Sequence, residues 1–323
     1  MQYKIITMQF PAGVHFGQRN LEDAGYELYA DTIFSALCNE IVQDGEESLN
    51  WFVNTAKEGK LLFSDAFPFT KKRSKPFMKE RYYLPKPLKR IERKETDGSS
   101  TAKKIWKKVT YLNYEDLENY LSGDMTEDDA KENLEDFKHF GKAEVRTQAD
   151  LQTKEEATPY RVGSFHFDSE YFEDCGLYFI VGYEKEEDYQ KVFSCMQALS
   201  YTGIGGRRSS GYGRFIATVQ EVPASLKNRI GTDSNTCMSL SVALPKDEEL
   251  DEVLPNAEVL WLKRSGFVTS LVDTDTYRRR RNLYVMKAGS CVETTFDGDI
   301  YDVRNEVNRH PVYRYAKPMW LEV

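Results

Sequence analysis

Long apolar segments are missing from this chain of 323 residues: the longest nearly uninterrupted run, Leu177 to Tyr183, has seven. A helix that crosses a bilayer needs about 20, so no membrane-spanning helix and no membrane partner are expected. Met1 to Thr7 has no charged segment followed by a long apolar stretch and a cleavage site, which leaves a cytoplasmic location as the expectation. Cysteine is scarce as well. The five, at 38, 175, 195, 237 and 291, are odd in number and stand at least twenty positions apart, so they form neither a disulfide framework nor a zinc knuckle and read as small buried thiols. Only four histidines occur, none of them in a His-x-x-x-His pair, and neither a metal nor another cofactor is expected. Gly-x-Ser-x-Gly, His-Glu-x-x-His and paired-carboxylate motifs are absent too. Hydrolase and metal chemistry therefore find no support, and a non-catalytic protein is expected.

Charge is plentiful but unevenly spread. The chain carries 44 Lys+Arg against 52 Asp+Glu. Thr70 to Lys108 holds fifteen Lys/Arg and four acids, a net of +11, so the other residues together carry −19. Glu115 to Asp136 follows with ten acids opposed only by Lys131. A basic arm beside an acidic arm, on an acidic body, points to local contact with a polyanion and to protein neighbours. Two solvated faces are the plain alternative.

Periodicity organises the rest. Tyr3 to Phe10 reads as a strand closed by Pro11-Ala12-Gly13, and Asp31 to Val42 as a helix with Asp31 as its N-cap. Ser48 to Lys57 continues as a second helix and Leu61 to Phe67 as the next strand. From Pro68 to about Asp150 the patterning weakens, as in an insertion. Tyr160 to Phe167 and Gly176 to Tyr183 resume it as strands, joined by turn residues into an expected antiparallel hairpin. A helix over Asp188 to Ser200, a glycine-rich loop and a strand over Arg214 to Val222 complete the order β-α-β, then β-β-α-loop-β. That is close to a ferredoxin-like unit with a large insertion. After a linker over Asn228 to Asn235 the elements shorten into a β-rich unit. The expected fold is α+β with two domains: 1–225, carrying an insertion at about 68–158, and 236–323.

The most informative stretch runs from Tyr201 to Phe215. Gly203, Gly205, Gly206, Gly211 and Gly213 permit close backbone approach, while Arg207, Arg208 and Arg214 with Ser209 and Ser210 suit phosphate oxygens; Tyr212 stands among them. Gly206-x-x-x-x-Gly211 has P-loop spacing, but Tyr212-Gly213 replaces Lys-Ser/Thr and the loop follows a helix, so nucleoside triphosphate binding is discarded. After the first strand, His15, Phe16, Gly17 and Arg19 offer an imidazole, an aromatic face and a guanidinium for RNA. His15 also suits a general base for RNA cleavage, or an ordinary loop position. Arg279 and Arg280, within Arg278 to Arg281, are candidate RNA contacts or a solvated turn. Arg146 and Arg161 would sit on a hairpin touching the nucleic acid.

Ala30 to Leu37 on the first helix and the loop Gly203 to Gly213 together resemble the RAMP superfamily of CRISPR-associated RNA-binding proteins. Within it the chain looks like the type III-A (Csm complex) subunit that caps the 5′ end of the guide RNA. The resemblance also takes in Lys263 to Phe267 and Lys287 to Ser290. It implies two ferredoxin-like (RRM-like) domains, binding of the 5′ tag of the guide (cr)RNA, and docking onto the large polymerase/nuclease subunit and the adjacent backbone RAMP subunit. It also implies a thumb hairpin that meets target RNA and disturbs guide–target pairing, for which Pro68 to Lys108 and Ala143 to Arg161 are the candidates. By this resemblance Gly203 to Arg208 and Ser209 to Arg214 would clamp tag phosphates, and His15 to Arg19 would line the tag's path. The rival functions are a metal-independent RAMP endoribonuclease that processes precursor crRNA with His15, and a scaffold whose basic arm meets only acidic protein surfaces.

Overall fold

The computed structural model describes residues 1–17, 20–74, 79–93, 100–150, 158–232, 234–268, 279–306 and 310–323. Strand β1 (Gln2–Gln9) leads to helices α1 (Ala30–Ile41) and α2 (Glu46–Lys57), then to strands β2 (Leu61–Phe63), β3 (Phe67–Lys72) and β4 (Arg81–Pro85). Helix α3 (Ser100–Lys108), strand β5 (Tyr111–Asn113) and helices α4 (Leu117–Leu121) and α5 (Glu127–Lys138) follow. Strands β6 (Gly141–Asp150), β7 (Thr158–Phe167) and β8 (Phe172–Tyr183), helix α6 (Glu186–Thr202) and strand β9 (Ile216–Glu221) complete the larger part. The main sheet is antiparallel in the order β5-β4-β3-β8-β1-β9, with β2 also paired to β8.

Successive side chains of a strand point to opposite faces, and both faces of this sheet are buried. Ile6, Met8, Leu177, Phe179 and Val181 join Ile33, Phe34 and Leu37 of α1 and Val192 and Met196 of α6 in one core. Ile5, Tyr178 and Ile180 pack in a second core with Trp106 of α3 and with Met238 and Leu240 further along the chain. The continuous apolar run of β8 is thus that of a central strand covered on both sides.

The C-terminal part is β-rich. Cys237–Ser239, Ala257–Glu258, Cys291–Val292 and Trp320–Glu322 form a four-stranded sheet. Trp261–Arg264 pairs with Leu283–Met286, and Asp299–Asp302 with Tyr313–Ala316. Val242, Ile300 and Tyr315 enter the same core as α1. The Tyr315 ring lies 5.4 Å from Phe34 and 5.7 Å from Phe63, and its hydroxyl accepts from the Phe63 N–H at 3.0 Å. The two parts of the chain therefore share one interior.

Three expectations are corrected. β7 does not form a hairpin with β8: all ten of its residues pair with β6, while β8 pairs with β1, β2 and β3. Turn chemistry at Asp168 to Glu170 allowed the hairpin, but β1 takes one edge of β8 and β2 and β3 the other, which leaves no edge for β7. The stretch from Pro68 does not leave the core. Phe67, Phe69, Tyr82 and Leu84 are buried, and β3 and β4 extend the main sheet; their alternating aromatic residues were hidden among the basic ones. Asp31 is not the N-cap of α1. That helix starts at Ala30, whose N–H is accepted at 2.7 Å by Asp65, a residue 35 positions away.

A basic cleft as candidate nucleic-acid interface

Two loops build one wall of a cleft. Gly13 closes β1 in a left-handed turn, Val14 exchanges backbone hydrogen bonds with Phe165 of β7, and His15 Nδ1 donates to the Gly163 carbonyl at 2.6 Å. A carbonyl can only accept, so Nδ1 of His15 carries a proton. The glycine loop after α6 is bound to this segment: the Gly206 N–H donates to the His15 carbonyl and the Gly213 N–H to the Gly13 carbonyl, both at 3.0 Å. The approach is so close that a Cβ at Gly205 would stand 2.7 Å from the Phe16 ring, and one at Gly206 2.6 Å from the His15 ring. Gly205 also has φ +92°. Gly205→Ala should therefore cost about 2 kcal/mol or more through strain and overpacking. Gly211→Ala, with φ +88° but open space around it, should cost less. Urea denaturation of both variants checks this; equal losses would deny the packing of Gly205 on Phe16.

The opposite wall is supplied by the C-terminal part. A cleft of about 870 Å³ is lined by His15, Phe16, Gly17, Gly205 and Gly206 on one side and by Trp261 to Ser265, Arg280 and Lys287 on the other. Lys263, Arg264, Arg280 and Lys287 face it, against Glu27 as its one acid among the described residues. Glu27 is held by the Lys287 ammonium at 2.6 Å and by the Tyr29 hydroxyl at 3.0 Å. The positive wall is thus left in excess.

Beneath it lies a buried charge cluster. Asp31, 1% exposed, accepts from Arg264 Nε at 2.8 Å and from Arg314 Nη1 at 2.6 Å. Arg264 also stacks 4.3 Å from the Tyr29 ring. Burial opposes ionisation of Asp31, but the guanidiniums of Arg264 and Arg314 outweigh it and hold the carboxyl below the usual range. Asp65 behaves oppositely: burial, against two N–H donors from Ala30 and Val242, pushes it up to about 7. Arg280 is pushed down to about 9 by burial and by the neighbouring Arg314. The buried Arg314, the half-buried Arg264 and Arg280 beside them exceed the negative charge available, an arrangement that an anion in the cleft would relieve.

The other expected contacts are dispersed. Phe16 is buried, edge-on to Phe10 at 5.9 Å, so its ring is core rather than a stacking face. Arg207 takes a left-handed backbone, φ 60°, and its guanidinium turns from the cleft to Gln148 and to the Tyr160 hydroxyl, 3.0 Å away on the β6–β7 hairpin. Arg208 to Ser210 form a short turn; Ser209, Ser210 and Arg214 are exposed and Tyr212 stands 6.1 Å from the His166 ring. Arg146 faces Val162 and Arg161 faces Thr147 across the hairpin, which places the two arginines on opposite faces of the ribbon. Arg279 lies 5.4 Å from the Phe267 ring. Arg19 and Arg278 fall outside the described residues. Lys263, Arg264 and Lys287 were not among the expected contacts, although the resemblance takes in the segments that carry them; the structure brings them into the cleft.

Residues 232–323 match the model of the CRISPR Csm4 C-terminal domain. The chain is 33% identical over its full length to a Streptococcus thermophilus protein, CRISPR system Cms protein Csm4, of which it covers 99%. A Mycobacterium tuberculosis protein of the same name is 34% identical over 95% of the chain and 93% of its own length. The chain belongs to the Csm4 family. Solved structures agree in fold: a chain of the Csm3–Csm4 subcomplex of the type III-A CRISPR-Cas interference complex superimposes with a TM-score of 0.63 at 18% identity, over 98% of each chain. One from the Csm1–Csm4 cassette with AMPPNP gives 0.58 at 20%, over 99% of this chain and 98% of that one. Among the described residues of this Csm4 family member, no helix is long and apolar enough to cross a membrane, and no cluster of three His, Cys, Asp or Glu could hold a metal ion.

Proposed function

We propose that the chain is a non-catalytic RNA-binding subunit of a type III-A CRISPR effector in the cytoplasm, and that its basic cleft holds the 5′ tag of the guide RNA. One observation carries this reading: the glycine loop and the His15 segment, far apart in sequence, meet Lys263, Arg264 and Arg280 across a single cleft. Backbone N–H groups of a glycine loop and guanidiniums are the donors that phosphate oxygens take, and they need no base sequence. Relatives are titled as assemblies with Csm3 and with Csm1; docking onto a backbone subunit and a large subunit is accordingly part of the proposal.

The order of β9, β1, β8 and β3 across the sheet, with α1 and α6 as its crossovers, supports a ferredoxin-like N-terminal domain over 1–225. A second such domain over 236–323 is proposed with it. For the thumb the β6–β7 hairpin is favoured over Pro68 to Lys108. Lys142, Val145, Arg146 and Arg161 are exposed on it, whereas β3 and β4 are committed to the sheet.

Fluorescence anisotropy of a 5′-tagged guide RNA, against a tag-scrambled control and over a salt series, tests the reading. Tag-preferring binding is expected, with a log–log salt slope of about −0.7 per phosphate neutralised, and with intact RNA on a denaturing gel. Shortened RNA that stays intact with His15→Ala would transfer the assignment to an endoribonuclease. No binding at moderate salt would leave a scaffold.

A further inference from the structure

A second pocket adjoins the cleft. It encloses about 470 Å³, and the half-buried Tyr26, Tyr29 and Tyr111 supply its rings, while Phe67, also in its lining, is buried in the core. It shares Glu27, Leu28, Tyr29, Leu260 and Lys287 with the cleft, so the two form one continuous groove. Lys86 and Lys107 line it as well; the Lys86 ammonium donates to the Trp106 carbonyl at 2.9 Å, and Lys107 belongs to α3. That helix buries Ala102 and Trp106 while exposing Lys103, Lys104, Lys107 and Lys108. The groove therefore leads from the glycine loop to the basic arm seen in the sequence, which the cleft alone does not use. The acids on the way are already engaged: Glu27 by Lys287 and Tyr29, and Asp65 by two backbone N–H groups.

We infer that this pocket receives one nucleotide of the bound RNA strand, its base among the aromatic rings and its phosphate on the Lys86 and Lys107 rim, so that the strand runs on to α3. The inference rests on the RNA-binding reading above. Its physical basis is the pairing of π surfaces with a cationic rim, the combination by which single-stranded nucleic acid is held without dependence on base identity. The volume suits a nucleotide-sized ligand. Lys86 is held below its usual pKa by burial and by Arg93, as for a cation that gains from an incoming anion.

The test uses guide RNAs with 2-aminopurine at successive tag positions, bound to the full chain and to two variants. Thr110→Trp fills the pocket from an exposed rim position, and Lys107→Gln with Lys108→Gln removes charge from the surface of α3; neither touches the core. In the wild-type chain one position should change its fluorescence on binding. That change should disappear with Thr110→Trp, and affinity should fall about tenfold. The lysine variant should make the salt slope shallower by about 0.7 per phosphate released. Tag binding with fluorescence and slope unaltered in both variants would overturn the inference alone and hand the pocket to a protein segment. Absence of RNA binding by the wild-type chain would overturn the inference together with the RNA-binding reading.

Discussion

Asp31→Ala should destabilise the chain by about 3–5 kcal/mol, a large share of the total stability of an ordinary folded protein. The carboxylate is the one acceptor that Arg264 and Arg314 share. Arg314 is itself 1% exposed, and its Nη2 has no hydrogen-bond partner among the described residues. Removing Asp31 would leave the buried Arg314 and the half-buried Arg264 without their shared counter-charge, and the loss of an ion-pair partner costs far more than the pair contributes net. Since Asp31 sits on α1 and both arginines come from the C-terminal part, the variant should also loosen the junction of the two. Urea unfolding, with hydrogen exchange of the Tyr313–Ala316 strand, measures both effects. A loss below about 1 kcal/mol would mean that the cluster is not what couples them.

The same cluster sets a pH dependence with two opposed parts. Asp31, depressed when folded, contributes stability that is complete above its unfolded pKa and is lost as the pH falls through the lower folded value. Asp65, raised to about 7, contributes stability that is complete below its unfolded pKa and declines as the pH rises towards 7. Between about pH 4 and 7 the Asp65 contribution should dominate, and Asp65→Asn should flatten that part of the profile.

Joint replacement of Lys263 and Arg280 by Gln should weaken tag RNA binding by about a hundredfold at moderate salt, on the order of one decade for each cation removed from a phosphate. The salt slope should become shallower by about 1.4. Stability should not fall in parallel. Arg280 is pushed to about 9 by burial and by Arg314, so its removal relieves repulsion within the fold, and the melting temperature should hold or rise. Binding sites commonly carry such a stability cost. Unchanged affinity would remove the cleft from the RNA path, and a parallel fall of affinity and stability would reduce Arg280 to a structural role.

Much of the fold was legible because it is written in local periodicity. The run Tyr3 to Phe10, the helical spacing of Ile33, Phe34 and Leu37, the doubly apolar Leu177 to Tyr183 and the helix that starts near Asp188 all stand where the pattern placed them, within a few residues. The close backbone approach of the glycine loop was legible for the same reason. Five glycines among arginines and hydroxyls are an unusual local composition, and the close approach of Gly205 and Gly206 to Phe16 and His15 accounts for it.

Pairing was not legible. Nothing near Tyr160 says that β7 joins β6, and nothing near Asp31 says that its partners lie 233 and 283 positions away. Nor does the loop show that Arg207 turns to Tyr160 while Arg280 turns to the cleft. The sequence by itself determined which segments are strands and helices, where the backbone bends, and that cationic groups gather at a few places, since propensity, periodicity and charge act between near neighbours. Only the tertiary structure decided which cations share a cleft and which carboxylate is buried beneath them. Those choices follow from burying both faces of one sheet, and the energy of that burial depends on contacts between residues that the chain order keeps far apart.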